Sequence, residues 1–157
     1  MKKPDTRKLV EVAMVAGVYA ALGYLFAPLS FAVLQFRLAE VVKSLVIYRK
    51  ELIWAMPLGV ALVNLASPYA GVWELLWMPG MNLVGAYLAW WLGHVSNPYA
   101  AASFLAVWIS LAVGIMLAFI LHVPFWSIFL SLLVPEVLLI VGGVPLMRWV
   151  ARQLPSE

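Results

Sequence analysis

The chain is 157 residues long, 66% hydrophobic and only 11% charged, with a formal net charge of +3 and no cysteine. A soluble domain runs near half apolar and about a quarter charged, so a water-soluble globule of this size is excluded and lipid must be the solvent for most of the surface. Disulfides, thiolate metal sites and cysteine nucleophiles are excluded too, and nucleic acid finds no basic patch, because the basic residues flank apolar segments instead of clustering.

In chain order the sequence predicts an all-α integral membrane protein, a single domain over 1–157 with six transmembrane helices. The first, at about 7–27, follows Lys2, Lys3, Arg7 and Lys8. Its apolar run exceeds the roughly 7–15 residues of a cleaved signal sequence, so a retained membrane helix is expected. Ala13, Gly17 and Ala21 recur along it at four-residue spacing, with Ala16 and Ala20 beside them. Residues four apart share a helix face, and small side chains there let a second backbone approach closely in lipid. That backbone belongs either to this bundle or to another membrane subunit.

The connection at 28–37 is nearly as apolar as the helix before it, yet it carries Gln35 and Arg37 and runs on to Glu40. An ordinary connecting loop would be short and polar. An apolar connector with hydrogen-bonding groups fits a plug or lid over a pocket. Helix two, about 37–48, is short. Arg37 and Glu40 are three apart and can pair on one face, either as a local anchor or as ligand contacts. Lys43 sits one to two turns in, or snorkels to an interface.

Arg49-Lys50-Glu51 is a charged, water-facing turn, and helix three follows at about 52–66, with Asn64 near its end. After the turn cluster at 67–71 comes Trp73-Glu74-Leu75-Leu76-Trp77. A carboxylate flanked by two indoles can combine charge recognition with stacking. It can equally be an interfacial aromatic belt with an acid at a helix start. Helix four, about 77–92, carries Asn82 and the small pair Gly85 and Ala89, read as ordinary packing, as are Ala112 and Met116 on helix five at about 99–121. Helix six, about 125–152, contains Pro135-Glu136. Proline removes a backbone hydrogen bond, and an acidic, kinked spot on an apolar helix fits function better than packing. An ionisable group at mid-membrane costs roughly 2.5–3.5 kcal/mol on insertion scales, so Glu40, Glu74 and Glu136 each call for a partner or a job. Asn64 and Asn82 either bridge helices or join them. His94 and His122 lie in turns and receive no role. No zinc, nucleophile or P-loop motif occurs, so neither an enzyme nor a bound metal or cofactor is expected.

With both termini cytoplasmic, the turns at 49–50 and 93–98 lie inside, and eight of the ten basic residues fall on that side, Arg37 and Lys43 being the exceptions. The outer connections then hold Gln35, Arg37, Trp73 and Glu74, so a pocket is expected to face outward. A cell membrane crossed several times is the expected location.

The run Ala27-Pro-Leu-Ser-Phe-x-x-x-Gln-Phe-Arg-x-x-Glu40, then Gly59-x-x-x-x-Asn64-x-x-Ser67-Pro68, an acid at 74, Ser96-Asn97, Pro135-Glu136 and Gly143-x-Pro145-Leu146 resembles the QueT-type substrate-binding (S) components of energy-coupling factor (ECF) transporters, over nearly the whole chain. The resemblance implies six helices around an outward pocket capped by the connection after helix one. It implies that the small-residue stripe Ala13, Ala16, Gly17, Ala20 and Ala21 docks on a transmembrane coupling subunit carrying two ATPases, and that the S component topples in the membrane to deliver its ligand. QueT-type members are associated with queuosine precursors, which are 7-deazaguanines. A carboxylate can accept two hydrogen bonds from a guanine-like N–H and amino group, and indoles can stack on the bicycle. The substrate-binding residues implied are Gln35, Arg37, Glu40, Asn64, Trp73, Glu74, Trp77, Asn82 and Glu136. The chain departs from the family pattern at Ala39, Lys43, Glu74, the Met78-Pro79-Gly80 run and Pro135, all near the expected pocket. Two other roles stay open. One is a structural or assembly subunit without its own ligand. The other is an ion conductor, which would need a polar path linking acids that long apolar runs separate.

Overall fold

The computed structural model describes residues 6–27, 37–67 and 70–154. Every regular element among them is helical: α1 (Thr6–Leu25), α2 (Leu38–Ile47), α3 (Ala55–Asn64), α4 (Met78–Val95), α5 (Pro98–Leu121), α6 (Phe125–Glu136) and α7 (Val144–Gln153). Three short segments of other winding join them: a 3-10 turn at Lys50–Trp54 before α3, and π segments at Trp73–Trp77 before α4 and at Val137–Val141 between α6 and α7. The predicted helix six is therefore α6, a π segment and α7 in succession.

Three helical runs are long and apolar enough to cross a bilayer: Thr6–Leu25, Pro98–Leu121 and Phe125–Gln153. The predicted second helix is not an α-helix. All ten residues of α2 are wound as a 3-10 helix, although runs beyond three or four residues are uncommon. At about 2.0 Å rise per residue this winding stretches α2 to roughly 20 Å, where an α-helix would cover about 15 Å.

The predicted breaks at 49–51, 96–98 and 124 fall where their turn chemistry places them, while Pro28 and Pro68 lie outside the described residues. Asn97 caps α5 by accepting a 2.9 Å hydrogen bond from the Ala100 N–H, and Pro98 occupies the first turn. His122 ends α5 in the left-handed region at φ 55°, which peels the chain off the helix before Pro124 and α6. The charged turn is tied back to α1. Arg49 reaches Glu11 at 2.9 Å and Glu51 at 2.6 Å, so Glu11, an acid inside α1, is paired and not loose in lipid.

One continuous core runs through the bundle. α2 lies centrally, packed on α1, α4, α7 and the π segment after α6. Its residues Val42, Leu45, Val46 and Ile47 are almost wholly buried. Gly85, Ala89, Ala112 and Met116 are buried as well, in keeping with a packing role.

Candidate substrate-binding site

The buried polar residues gather in two groups. The first is built on α2. A 3-10 helix has three residues per turn, so side chains three apart eclipse, whereas in an α-helix they would fan apart by about 60°. The winding therefore stacks Glu40 and Lys43 one above the other, with Arg37 at the helix entrance, where its carbonyl accepts the Glu40 N–H at 2.8 Å. Glu40 and Lys43 are each 1% exposed. Lys43 thus does not snorkel. Its Nζ lies 2.5 Å from Glu40 Oε2, off the hydrogen-bonding direction, and 5.7 Å from the Tyr19 ring centre. Tyr19 on α1 donates its hydroxyl to the other oxygen, Glu40 Oε1, at 2.6 Å.

Gly59 on α3 makes that last contact possible. A Cβ at this position would meet the Tyr19 ring at 2.9 Å. Without one, the ring lies against the α3 backbone and its hydroxyl points at α2. Glu136 also joins the group, hydrogen-bonded to Glu40 and within the fields of Lys43 and Arg37. Pro135 sits just before it inside α6, and the backbone widens into the π segment just after it. Such π bulges frequently mark functional sites. Two cations, Arg37 and Lys43, face two carboxyls, Glu40 and Glu136.

The second group spans the end of α3 and the start of α4. Asn64, Glu74 and Asn82 are each 1% exposed. Glu74 lies inside the other π segment. Asn64 Nδ2 donates to the Glu74 carbonyl at 2.8 Å, and Asn82 Nδ2 to the Met78 carbonyl at 2.8 Å. Because a carbonyl can only accept, these bonds fix which amide atom is nitrogen. The two Oδ1 atoms are left without partners among the described residues, as are Glu74 Oε2 and Glu136 Oε2. All four are acceptors. A buried acceptor without a donor costs about 1–3 kcal/mol, so each of these atoms calls for a donor.

The structure thus brings Arg37, Glu40 and Glu136 together and Asn64 with Glu74. The two tryptophans are differently placed. Trp77 donates its indole N–H to the Ala112 carbonyl of α5 at 3.3 Å. Trp73 stands on the rim, edge-on to Trp77 at 5.9 Å and 5.1 Å from Phe119. Gln35, with the rest of the 28–36 connection, lies outside the described residues.

Sequence reasoning passed over Tyr19 and left Lys43 out of the site. The three-residue rhythm 37, 40, 43 could have flagged Lys43. Tyr19 carries a weaker signal, the only hydroxyl on the buried face of α1. The small-residue stripe divides: Ala16 and Ala20 are buried against the bundle, 3% and 6% exposed. Ala13, Gly17 and Ala21 face outward, and a Cβ on Gly17 would meet nothing within 4 Å.

A cavity of about 1250 Å³ lies away from both polar groups. It is a groove at the other end of the bundle, where α1 begins and α2 and α4 finish.

No curated protein and no solved structure matches the chain. A family model does: the model of the QueT transporter matches residues 9–152. Nearly the whole chain is covered, including both polar groups and the α1 stripe, and the chain belongs to the QueT transporter family, a family of membrane transporters and not of enzymes.

Proposed function

We propose that this chain is the substrate-binding S component of an ECF transporter in a prokaryotic plasma membrane, crossing it six times with both termini in the cytoplasm, and that its ligand is a queuosine precursor of the 7-deazaguanine class. The observation that carries this reading is the set of buried acceptors. Glu74 Oε2, Glu136 Oε2, Asn64 Oδ1 and Asn82 Oδ1 have no donor among the described residues. A 7-deazaguanine presents ring N–H groups and an exocyclic amine along its edges, and an aminomethyl form adds an ammonium that suits a carboxyl. Arg37, Glu40 and Gln35 supply further polar contacts in this reading, with Trp73 at the rim and Trp77 behind Glu74.

The open face of Ala13, Gly17 and Ala21 supports docking on the coupling subunit, because close backbone approach is the main source of helix affinity in lipid. The two ATPases of such a module supply the energy, and this chain supplies the affinity.

Thermal unfolding of the detergent-purified protein against 7-deazaguanines, guanine and vitamins tests the proposal. A ligand at 100 times its Kd adds about 2.7 kcal/mol of stability, a plain rise in Tm. The expected result is a rise with a 7-deazaguanine that Glu74→Gln and Glu136→Gln abolish. A rise with another compound replaces the substrate. A folded sample that responds to none of them overturns ligand capture in favour of an assembly subunit.

A further inference from the structure

The groove at the far end of the bundle has a distinctive division of character. Its walls are aliphatic and come from three helices: Leu9 of α1, Leu58 of α3, and Leu83 and Val84 of α4. Leu9, Leu58 and Val84 are 56%, 51% and 44% exposed, so the walls open sideways to lipid. Its end is cationic and aromatic. Lys50 lies 4.8 Å over the Trp90 ring, and Lys8, Arg49 and Trp54 stand beside it. Among the described residues, the acids there are Glu51, in the groove, and Glu11, just behind it. Both engage Arg49, and Arg7 also reaches Glu11, at 3.7 Å. Among the described residues, Arg7, Lys8, Arg49 and Lys50 thus gather with two carboxylates, so this end of the groove is net positive next to its apolar walls.

We propose that this groove holds one anionic phospholipid, its acyl chains along the α1, α3 and α4 walls and its phosphate against Lys8 and Lys50. Charge and depth select this occupant. A phospholipid places a negative phosphate at the membrane–water boundary and hydrocarbon below it, the same order in which the groove places its groups. Basic pockets between membrane helices at this boundary are suited to acidic head groups. A partner helix would instead lay apolar side chains across the lysines and leave their charge facing hydrocarbon. The bound lipid would brace α1 against α3 and α4 at the end away from the polar site.

The test uses the full chain in a neutral detergent. Dioleoyl phosphatidylglycerol and dioleoyl phosphatidylcholine are titrated separately, and retained lipid is counted by native mass spectrometry with Tm in parallel. The expected result is one phosphatidylglycerol retained at least tenfold more strongly than phosphatidylcholine, with a higher Tm. The double variant Lys8→Gln/Lys50→Gln brings that ratio to about one. Val84→Trp, which fills the groove without touching charge, lowers retention of both lipids. Equal retention of the two lipids by the parent chain overturns the proposal. So does phosphatidylglycerol retention untouched by Val84→Trp, the outcome for a groove that takes a protein helix in place of lipid. An equal Tm rise with sn-glycerol 3-phosphate alone overturns it in favour of a free phosphate site.

Discussion

Replacing Lys43 with methionine isolates the central electrostatic contact of the bundle. Methionine keeps the length of the side chain and removes its charge. At the observed 2.5 Å, opposite unit charges attract by about 7 kcal/mol at an effective dielectric of 20. Desolvation of several kcal/mol per buried ion offsets most of that gain, so the intact pair is worth little net. Removing one partner is different, because it strands the other charge. The expected cost is about 3–5 kcal/mol. Adding Glu40→Gln to Lys43→Met removes the stranded charge and should restore most of the loss. Reversible unfolding in mixed micelles, followed by tryptophan fluorescence, reads both variants, and the cycle closed by Glu40→Gln gives the coupling. Lys43→Met within about 0.5 kcal/mol of the parent, or a double variant no more stable than the single one, would refute the ion-pair account.

Three further outcomes are expected. Gly143→Ala should lower the unfolding midpoint by about 1–3 kcal/mol in equivalent stability, because its Cβ would meet the Leu139 carbonyl at 2.7 Å and the Val41 carbonyl at 3.0 Å; Gly142→Ala, with nothing within 4 Å, is the matched control. Gly17→Leu should leave the isolated protein as stable as before and abolish co-purification with the coupling subunit, whereas Ala16→Leu should destabilise the isolated protein itself. For Glu51, burial alone would raise the carboxyl pKa, but its own backbone N–H and the Arg49 guanidinium outweigh burial and hold it below the ordinary 4.5. Its stabilising contribution is therefore complete above that ordinary value and is lost as pH falls through the lowered one. A Tm profile from neutral to acidic pH should fall less steeply at its acid end in Glu51→Gln, and an unchanged profile would count against the pairing.

Much of the site was legible because single ionisable residues are conspicuous in an apolar chain. Glu40, Glu74 and Glu136 stand out against largely apolar helices, and the structure buries all three. What sequence patterns could not convey was winding. Nothing in the composition of 38–47 separates a 3-10 helix from an α-helix, yet only the tighter winding stacks Glu40 under Lys43. The two π segments are equally silent in the sequence, although Pro135 hints at one of them. Tyr19 escaped notice because its role depends on a neighbour forty residues away in sequence, Gly59, whose missing side chain lets the ring lie flat.

The amino-acid sequence by itself determined the solvent, the helical class and the family. These follow from long apolar runs, from turn residues that end them, and from short motifs spread over nearly the whole chain. It also determined which polar residues had to be explained, because lipid makes each of them expensive. The tertiary structure decided how they are partnered. Ion pairs and helix faces depend on the relative rotation and rise of packed helices, and a change from 3.6 to three residues per turn alters both. The same rotation of α1 turned Ala16 and Ala20 into the core and left Ala13, Gly17 and Ala21 facing out, a difference that identical small side chains at identical spacing could not reveal.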